Sequence, residues 1–499
     1  MRRRYFSPQG KVEILLSRGY VLYHIGEADR ALQDAGRALD LAKRFRLLKD
    51  QAESLMMLAS VHDQLNQMEA MLQEAMAALD LFRRLGDRYG ECQATGQLGI
   101  ATSSLEGYAA ARPYYARALE IARTLGDPHN LYRCLLEMGW ILIRTKEYET
   151  AKRHLEEGLE MAGAAEDSSQ VAFGTSCLGE IALHQGRPEE ALAQHQRALA
   201  IREKIGDTWF QAITWSWLSG DWRALGDLAK AKEARERSLA INRAIGIRPL
   251  IAFDLGRLAE LCEVLGNLNS ALAICREALD LSRQHDIGKY LLGAISRLSS
   301  VQFSLGNWEE AESAAQEVLA KDPILDDKAL ADLVLAQLTL VRGDRILAFG
   351  RLQEARETAE SADMPGLAFQ TLGAWAELHL SLGDASATRK TLEMMHARLP
   401  DLRHKDLEPL LENLAACLLA CEGSEEEAVT VFANTLDRIR ALGLRWEEAR
   451  AYYRFGKALG GEEGKPYLEK AQALFSEIGA TGWAALCEQD LAAKGELSP

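Results

Sequence analysis

Apolar positions recur at helical spacing along nearly the whole chain, and short joints interrupt them at a fixed interval. Forty-residue steps from Gly26 reach Asn66, Glu106, Lys146, Gly186, Gly226, Gly266 and Gly306, most of them Gly. A chain leaving a helix often needs a left-handed residue, and Gly adopts that conformation without a Cβ clash. Seven residues before each joint stands a small side chain: Gly19, Ala59, Gly99, Gly139, Gly179, Ser219, Ala259 and Ser299. Thirteen residues after each joint stands Leu, from Leu39 to Leu319 without exception. The pattern predicts antiparallel helix pairs. Small residues let two backbones approach, and the leucine fills the seam with the neighbouring pair.

A second punctuation closes several pairs, as in Leu85-Gly86-Asp87, Leu125-Gly126-Asp127 and Ile205-Gly206-Asp207. Gly ends one helix there and Asp caps the next. The period slips by three residues near Lys321-Asp322-Pro323, then resumes at Gly343, Gly383 and Gly423. Beyond the slip the leucine position becomes Arg356 and His396 before returning as Leu436. The expected architecture is all-α, with about twelve antiparallel pairs and a C-terminal capping helix. Residues 1–321 form the regular array of about eight pairs, 322–480 about four divergent pairs, and 481–499 the cap and tail. The last helix places Trp483, Leu486, Cys487 and Leu491 on one face.

Composition fits a globular helical chain: 48% of residues are hydrophobic and 26% charged, and β-branched types are sparse. The formal net charge is −15, yet residues 1–50 carry 11 Lys/Arg against 6 Asp/Glu, which leaves −20 on the rest. So acidic a body argues against direct nucleic-acid binding. Arg2-Arg3-Arg4 reads as a solvated end or a cut linker. No apolar export segment follows it, and no apolar run is long enough to cross a bilayer. The expected compartment is the cytoplasm, with no membrane partner. The 8 cysteines are scattered through helical patterns and read as reduced, buried side chains.

Trp215, Leu218, Ser219, Trp222 and Ala231 resemble the tetratricopeptide-repeat signature, and Leu98-Gly99 and Leu178-Gly179 repeat its central dipeptide. The resemblance extends over nearly the whole chain. The forty-residue spacing with Leu-Gly-Asp joints is similar to kinesin light chains, spindle-orientation adaptors and the sensor arms of bacterial signal-transduction ATPases such as the maltose regulator. It implies a right-handed superhelix, an α-solenoid, whose first helices line a concave groove. It also implies a protein or peptide partner. Carried over by helical phase, the groove includes Tyr20, Tyr23, Leu136, Trp140, Ile143 and Glu180. Arg133, Arg144, Phe173, His184 and Arg223 should share an inner surface with Trp140. Apolar plates flanked by guanidiniums suit a partner with aromatic or acidic side chains. Trp215 and Trp222 fall at packing positions, whereas Trp217 faces elsewhere as a candidate interface anchor.

The particular ligands of those families do not carry over. The Lys and Asn with which chaperone-binding members hold a terminal carboxylate are not evident in the early repeats. Where the adaptors often hold Asn, this chain has Ser17, Met57, Gln97, Glu137, Cys177, Trp217, Arg257 and Arg297. Gly460-Gly461-Glu462-Glu463-Gly464-Lys465 resembles a phosphate loop only superficially, because no Ser or Thr follows the lysine and no strand precedes it. Cys417 and Cys421 lie one helical turn apart, but no second Cys or His pair matches their spacing, so core packing is expected. No catalytic residue, metal or cofactor is expected. The sequence reads as a bacterial-type regulatory scaffold or adaptor, with self-association left open. The alternative is the ligand-sensing C-terminal arm of a larger regulator carrying an ATPase, cyclase or transcription-activating part.

Overall fold

The computed structural model describes residues 7–65, 67–285, 287–402 and 404–493, and their regular structure is helical throughout. Twelve antiparallel pairs run from Pro8–His24 with Ala28–Arg44 to Arg445–Leu459 with Gly461–Glu477, and Thr481–Ala493 closes the series. Gly26, Gly186, Gly226, Gly266, Gly306, Gly343, Gly383 and Gly423 all turn with positive φ, between 70° and 85°. Lys146 adopts the same region at 64°. Pair three departs from strict register. Glu106 keeps φ −120°, and the following Gly107 takes the positive angle at 95°. Gly at the neighbouring position relieves Glu106 of a conformation its Cβ would oppose. Asn66 and Arg2-Arg3-Arg4 lie outside the described residues.

Within a pair, a bulky side chain of the second helix lies where the first helix lacks one. A Cβ built on Gly99 would stand 2.7 Å from the Tyr115 ring, one on Gly139 2.6 Å from Leu155, and one on Gly179 2.7 Å from His195. Between pairs, Leu159 meets Gly174 of the next first helix in the same way, at 2.8 Å. The leucine of the forty-residue register therefore does fill the inter-pair seam. The three-residue slip has a local cause. The second helix of pair eight stops early, at Trp308–Leu319, Asp322 turns left-handed at φ 51°, and Pro323 cannot extend a helix.

The chain divides into two compact units, one formed by the residues up to Leu218 with Arg237–Leu250, the other by Ser219–Glu236 with the residues from Ile251 on. In each unit the joint of one pair meets chain that lies about five pairs later. In the first unit, Gly26 of pair one approaches Ile245, where pair six ends. In the second, Gly226 approaches Leu442 at the end of pair eleven, Gly266 approaches Arg445 at the start of pair twelve, and Gly306 approaches Gly482 of the capping helix. The glycines between 456 and 464 act within pair twelve, because a Cβ on Gly464 would strike the Gly456 carbonyl. They bring two helices together instead of cradling a phosphate.

Trp483 anchors the cap. Its side chain is buried, its indole N–H donates to the Phe303 carbonyl at 3.0 Å, and it stacks on Phe475 with ring centroids 5.5 Å apart. Gly482→Ala places a methyl against the Gly306 backbone, which no side-chain rotation can clear. The substitution should destabilise the second unit by roughly 1–3 kcal/mol. Thermal unfolding followed by Trp fluorescence should show a lowered midpoint, whereas Gly350→Ala, at a helical glycine with nothing within reach of its Cβ, should not lower it.

Candidate functional site

In the first unit, side chains of pairs three to six form an aromatic platform. Trp140, from Pro128–Arg144, and Trp217, from Thr208–Leu225, approach with ring centroids 6.3 Å apart. The first helix between them, Ser168–His184, is built small there, with Gly174, Ser176 and Gly179. Exposed Arg144 lays its guanidinium 5.5 Å from the Trp140 ring centroid and 4.9 Å from that of Tyr108. Trp217 stacks on buried His195 at 5.5 Å, and the guanidinium of buried Arg202 lies 5.6 Å from its ring. Burial pushes Arg202 down to about 10, against the pull of Asp207. A cation held behind a ring polarises it and fixes its tilt.

Two carboxyl groups of the first unit are raised by burial. Arg133 and Glu137 form a half-buried pair at 3.8 Å, and burial raises the Glu137 carboxyl although Arg133 opposes it. Burial also pushes the half-exposed Asp63 carboxyl up to about 6. Tyr148 bonds His184 Nδ1 at 3.1 Å, and Phe173 packs half-buried on the same hydrophobic core as Trp140. Tyr20 is 60% exposed, and Tyr23 is half-buried.

Three side chains assigned by helical phase to an open groove, and the candidate interface anchor Trp217, take other places. Leu136 and Ile143 are fully buried. Leu136 drops into the seam left by Gly158 and Gly174, so it serves pair packing. Glu180 is buried with its carboxylate 4.0 Å from His195. Trp217 is half-buried between His195 and Trp140, and so does not stand out as an exposed anchor. Sequence reasoning missed Tyr108, Tyr148 and Arg202. The two tyrosines were detectable, since both open a second helix at positions forty residues apart.

Arg223 belongs to the second unit, where its neighbours are already supplied. Its Nε and Nη2 donate to the two Asp406 oxygens at 3.1 and 2.9 Å, and Nη1 donates to Glu260 at 2.5 Å. Arg297 joins Glu260 at 3.2 Å and Glu263 at 3.6 Å. Further along, Arg450 and Arg454 both bond Glu377, and the Arg450 guanidinium covers the Trp483 ring at 4.4 Å. Asp406 comes from the irregular joint between pairs ten and eleven, whose two short turns are Leu399–Asp401 and Lys405–Leu407. In this unit these guanidiniums and carboxylates thus pair with one another. Among the described residues no three His, Cys, Asp or Glu side chains converge as a metal site. Cys417 is buried and Cys421 exposed.

Burial alone would raise Asp406 and Glu260, but the guanidiniums outweigh it and hold both below their ordinary values. A carboxyl with a depressed folded pKa contributes fully above its unfolded pKa and loses that contribution as pH falls through the folded value. The second unit should therefore weaken on acidification through and below the carboxylate range. Asp406→Ala strands a buried guanidinium and should cost about 3–5 kcal/mol at neutral pH. Denaturant titrations across pH should show the variant with a shallower acid dependence than the parent.

The chain matches the MalT-like TPR region over residues 175–443 and a tetratricopeptide repeat over residues 90–164. No curated protein matches it. Among solved structures it is similar to RapI in its apo form, at 18% identity over 48% of this chain and 85% of that one, with TM-score 0.41. It is also similar to a Rap protein complexed with competence and sporulation factor, at 12% identity over 81% and 98%, with TM-score 0.42. A third is a signal transduction ATPase with numerous domains and a tetratricopeptide repeat sensor from Pyrococcus horikoshii, at 15% identity over 68% and 55%, with TM-score 0.47. With more than half of its length matched by the MalT-like TPR region, and with helix pairs throughout, the chain belongs to that tetratricopeptide-repeat family.

Proposed function

We propose that this chain binds a protein or peptide segment on the inner face of its first unit, and that binding, not catalysis, is its work. The observation that carries this reading is the platform of Trp140 and Trp217, edged by the exposed guanidinium of Arg144. Half-buried aromatic plates offer a large apolar area at low entropic cost. Arg144 still has N–H donors for a carboxylate while it stacks on Tyr108 and Trp140. Aromatic or acidic side chains on the partner suit both features. The second unit is the poorer receptor, since its own Asp406 and Glu260 occupy Arg223.

The match to the MalT-like TPR region favours a second reading, a ligand-sensing arm within a larger regulator. The reading frame around the coding sequence separates the two, because the second requires an ATPase, cyclase or DNA-binding module joined to this chain. No helix among the described residues is long and apolar enough to cross a membrane.

Partners captured by the intact chain from source-cell extract can be identified by mass spectrometry, and affinity for each then measured. Trp140→Ala with Arg144→Glu should weaken the specific partner by roughly tenfold or more. Far-UV circular dichroism should stay unchanged. Undiminished binding by this folded double variant would remove the first unit as the receptor.

A further inference from the structure

Two thiols meet at the seam between pairs three and four, inside the hydrophobic core against which Trp140 packs. Cys92, in Arg88–Leu105, and Cys134, in Pro128–Arg144, place their Sγ atoms 3.6 Å apart. Both are buried, at 0% and 1% exposure, and Cys92 Sγ also lies 3.3 Å from the Ala118 carbonyl oxygen. The equivalent positions one pair earlier are Ala52 and Ala94, and one pair later Tyr132 and Gly174. Only at this seam among those three does the register bring two sulfurs together. Closing 3.6 Å to a disulfide bond of about 2.05 Å needs side-chain rotation and a small shift of two first helices.

We propose that Cys92 and Cys134 form a reversible disulfide when the protein meets a hydroperoxide, and that the bond locks pair three to pair four. With hydrogen peroxide as oxidant, the Cys92 thiolate attacks one peroxide oxygen. The O–O bond breaks, the departing hydroxide takes up the thiol proton as water, and Cys92 becomes a sulfenic acid. Cys134 sulfur then attacks the Cys92 sulfur. The S–S bond forms, and the sulfenic hydroxyl leaves with the Cys134 proton as a second water. Two thiols lose two electrons, and one peroxide is reduced to two waters.

The surroundings favour Cys92 as the attacking member. The thiol–thiol contact with Cys134 holds the Cys92 thiol below the ordinary value against burial, with Arg133 adding to the effect, while Cys134 is raised. A low-lying thiolate beside a second thiol has the chemical arrangement of an attacking and a resolving cysteine. Burial makes access depend on local opening, which a repeat array permits at the contact between neighbouring pairs.

The test exposes the intact, folded chain to graded hydrogen peroxide, alkylates remaining thiols under denaturing conditions, and maps every cysteine by mass spectrometry. Exposed Cys421 reports that the dose is effective. The expected result is a single cross-linked peptide pair, Cys92 with Cys134, lighter by about two mass units and restored by dithiothreitol. Cross-linking should also raise the thermal midpoint, and Cys92→Ser and Cys134→Ser should each abolish that rise. Recovery of both cysteines as free thiols at a dose that oxidises Cys421 would overturn the proposal. So would their terminal oxidation without a cross-link, or pairing with other cysteines.

Discussion

The structure depends on missing side chains. At Gly99, Gly139 and Gly179 the first helix of a pair has no Cβ, and Tyr115, Leu155 and His195 of the second helix occupy that space. Close packing of this kind tolerates neither a void nor an added methyl, so it fixes how the two helices of a pair cross. Leu159 on Gly174 extends the same fit to the next pair. A constant crossing repeated at a constant interval gives a constant step. Joints such as Gly306 accordingly find chain about five pairs later close enough for backbone to touch backbone.

The two units differ in how their distant side chains meet. In the first, aromatic rings meet across a first helix of small residues and remain half-exposed, with Arg144 at the edge. In the second, arginines and carboxylates from distant pairs meet and neutralise each other, and Trp483 closes on Phe303. Buried ion pairs yield little net stability, because desolvation offsets much of the attraction, but a wrong alignment would leave charges unpaired. Their effect here is to specify which pair meets which. A face satisfied from within has fewer groups to offer a partner, which directs attention to the first unit.

The helical phase that put Trp140, Arg144, Phe173, Leu136, Ile143 and Glu180 on one face did not foresee the burial of Leu136, Ile143 and Glu180. Residues one turn apart on a first helix differ by only a small rotation, and that rotation separates open face from seam. Gly158 and Gly174 decided it for Leu136 by leaving a hole of its size. Trp217 shows the complementary error. It lies off the packing positions in sequence, yet His195 and Arg202, both on Pro188–Ile205, come up beneath it.

Local physics was enough for the helices, their joints, the pairing and the capping helix. Each depends on residues near in sequence: a left-handed Gly, a small side chain facing its hairpin partner, a Pro that ends a run. The five-pair return, the Arg223–Asp406 bond, the Trp140–Trp217 approach and the Cys92–Cys134 contact were decided by tertiary structure. These depend on small angular steps accumulated over many pairs, and no single repeat encodes that sum.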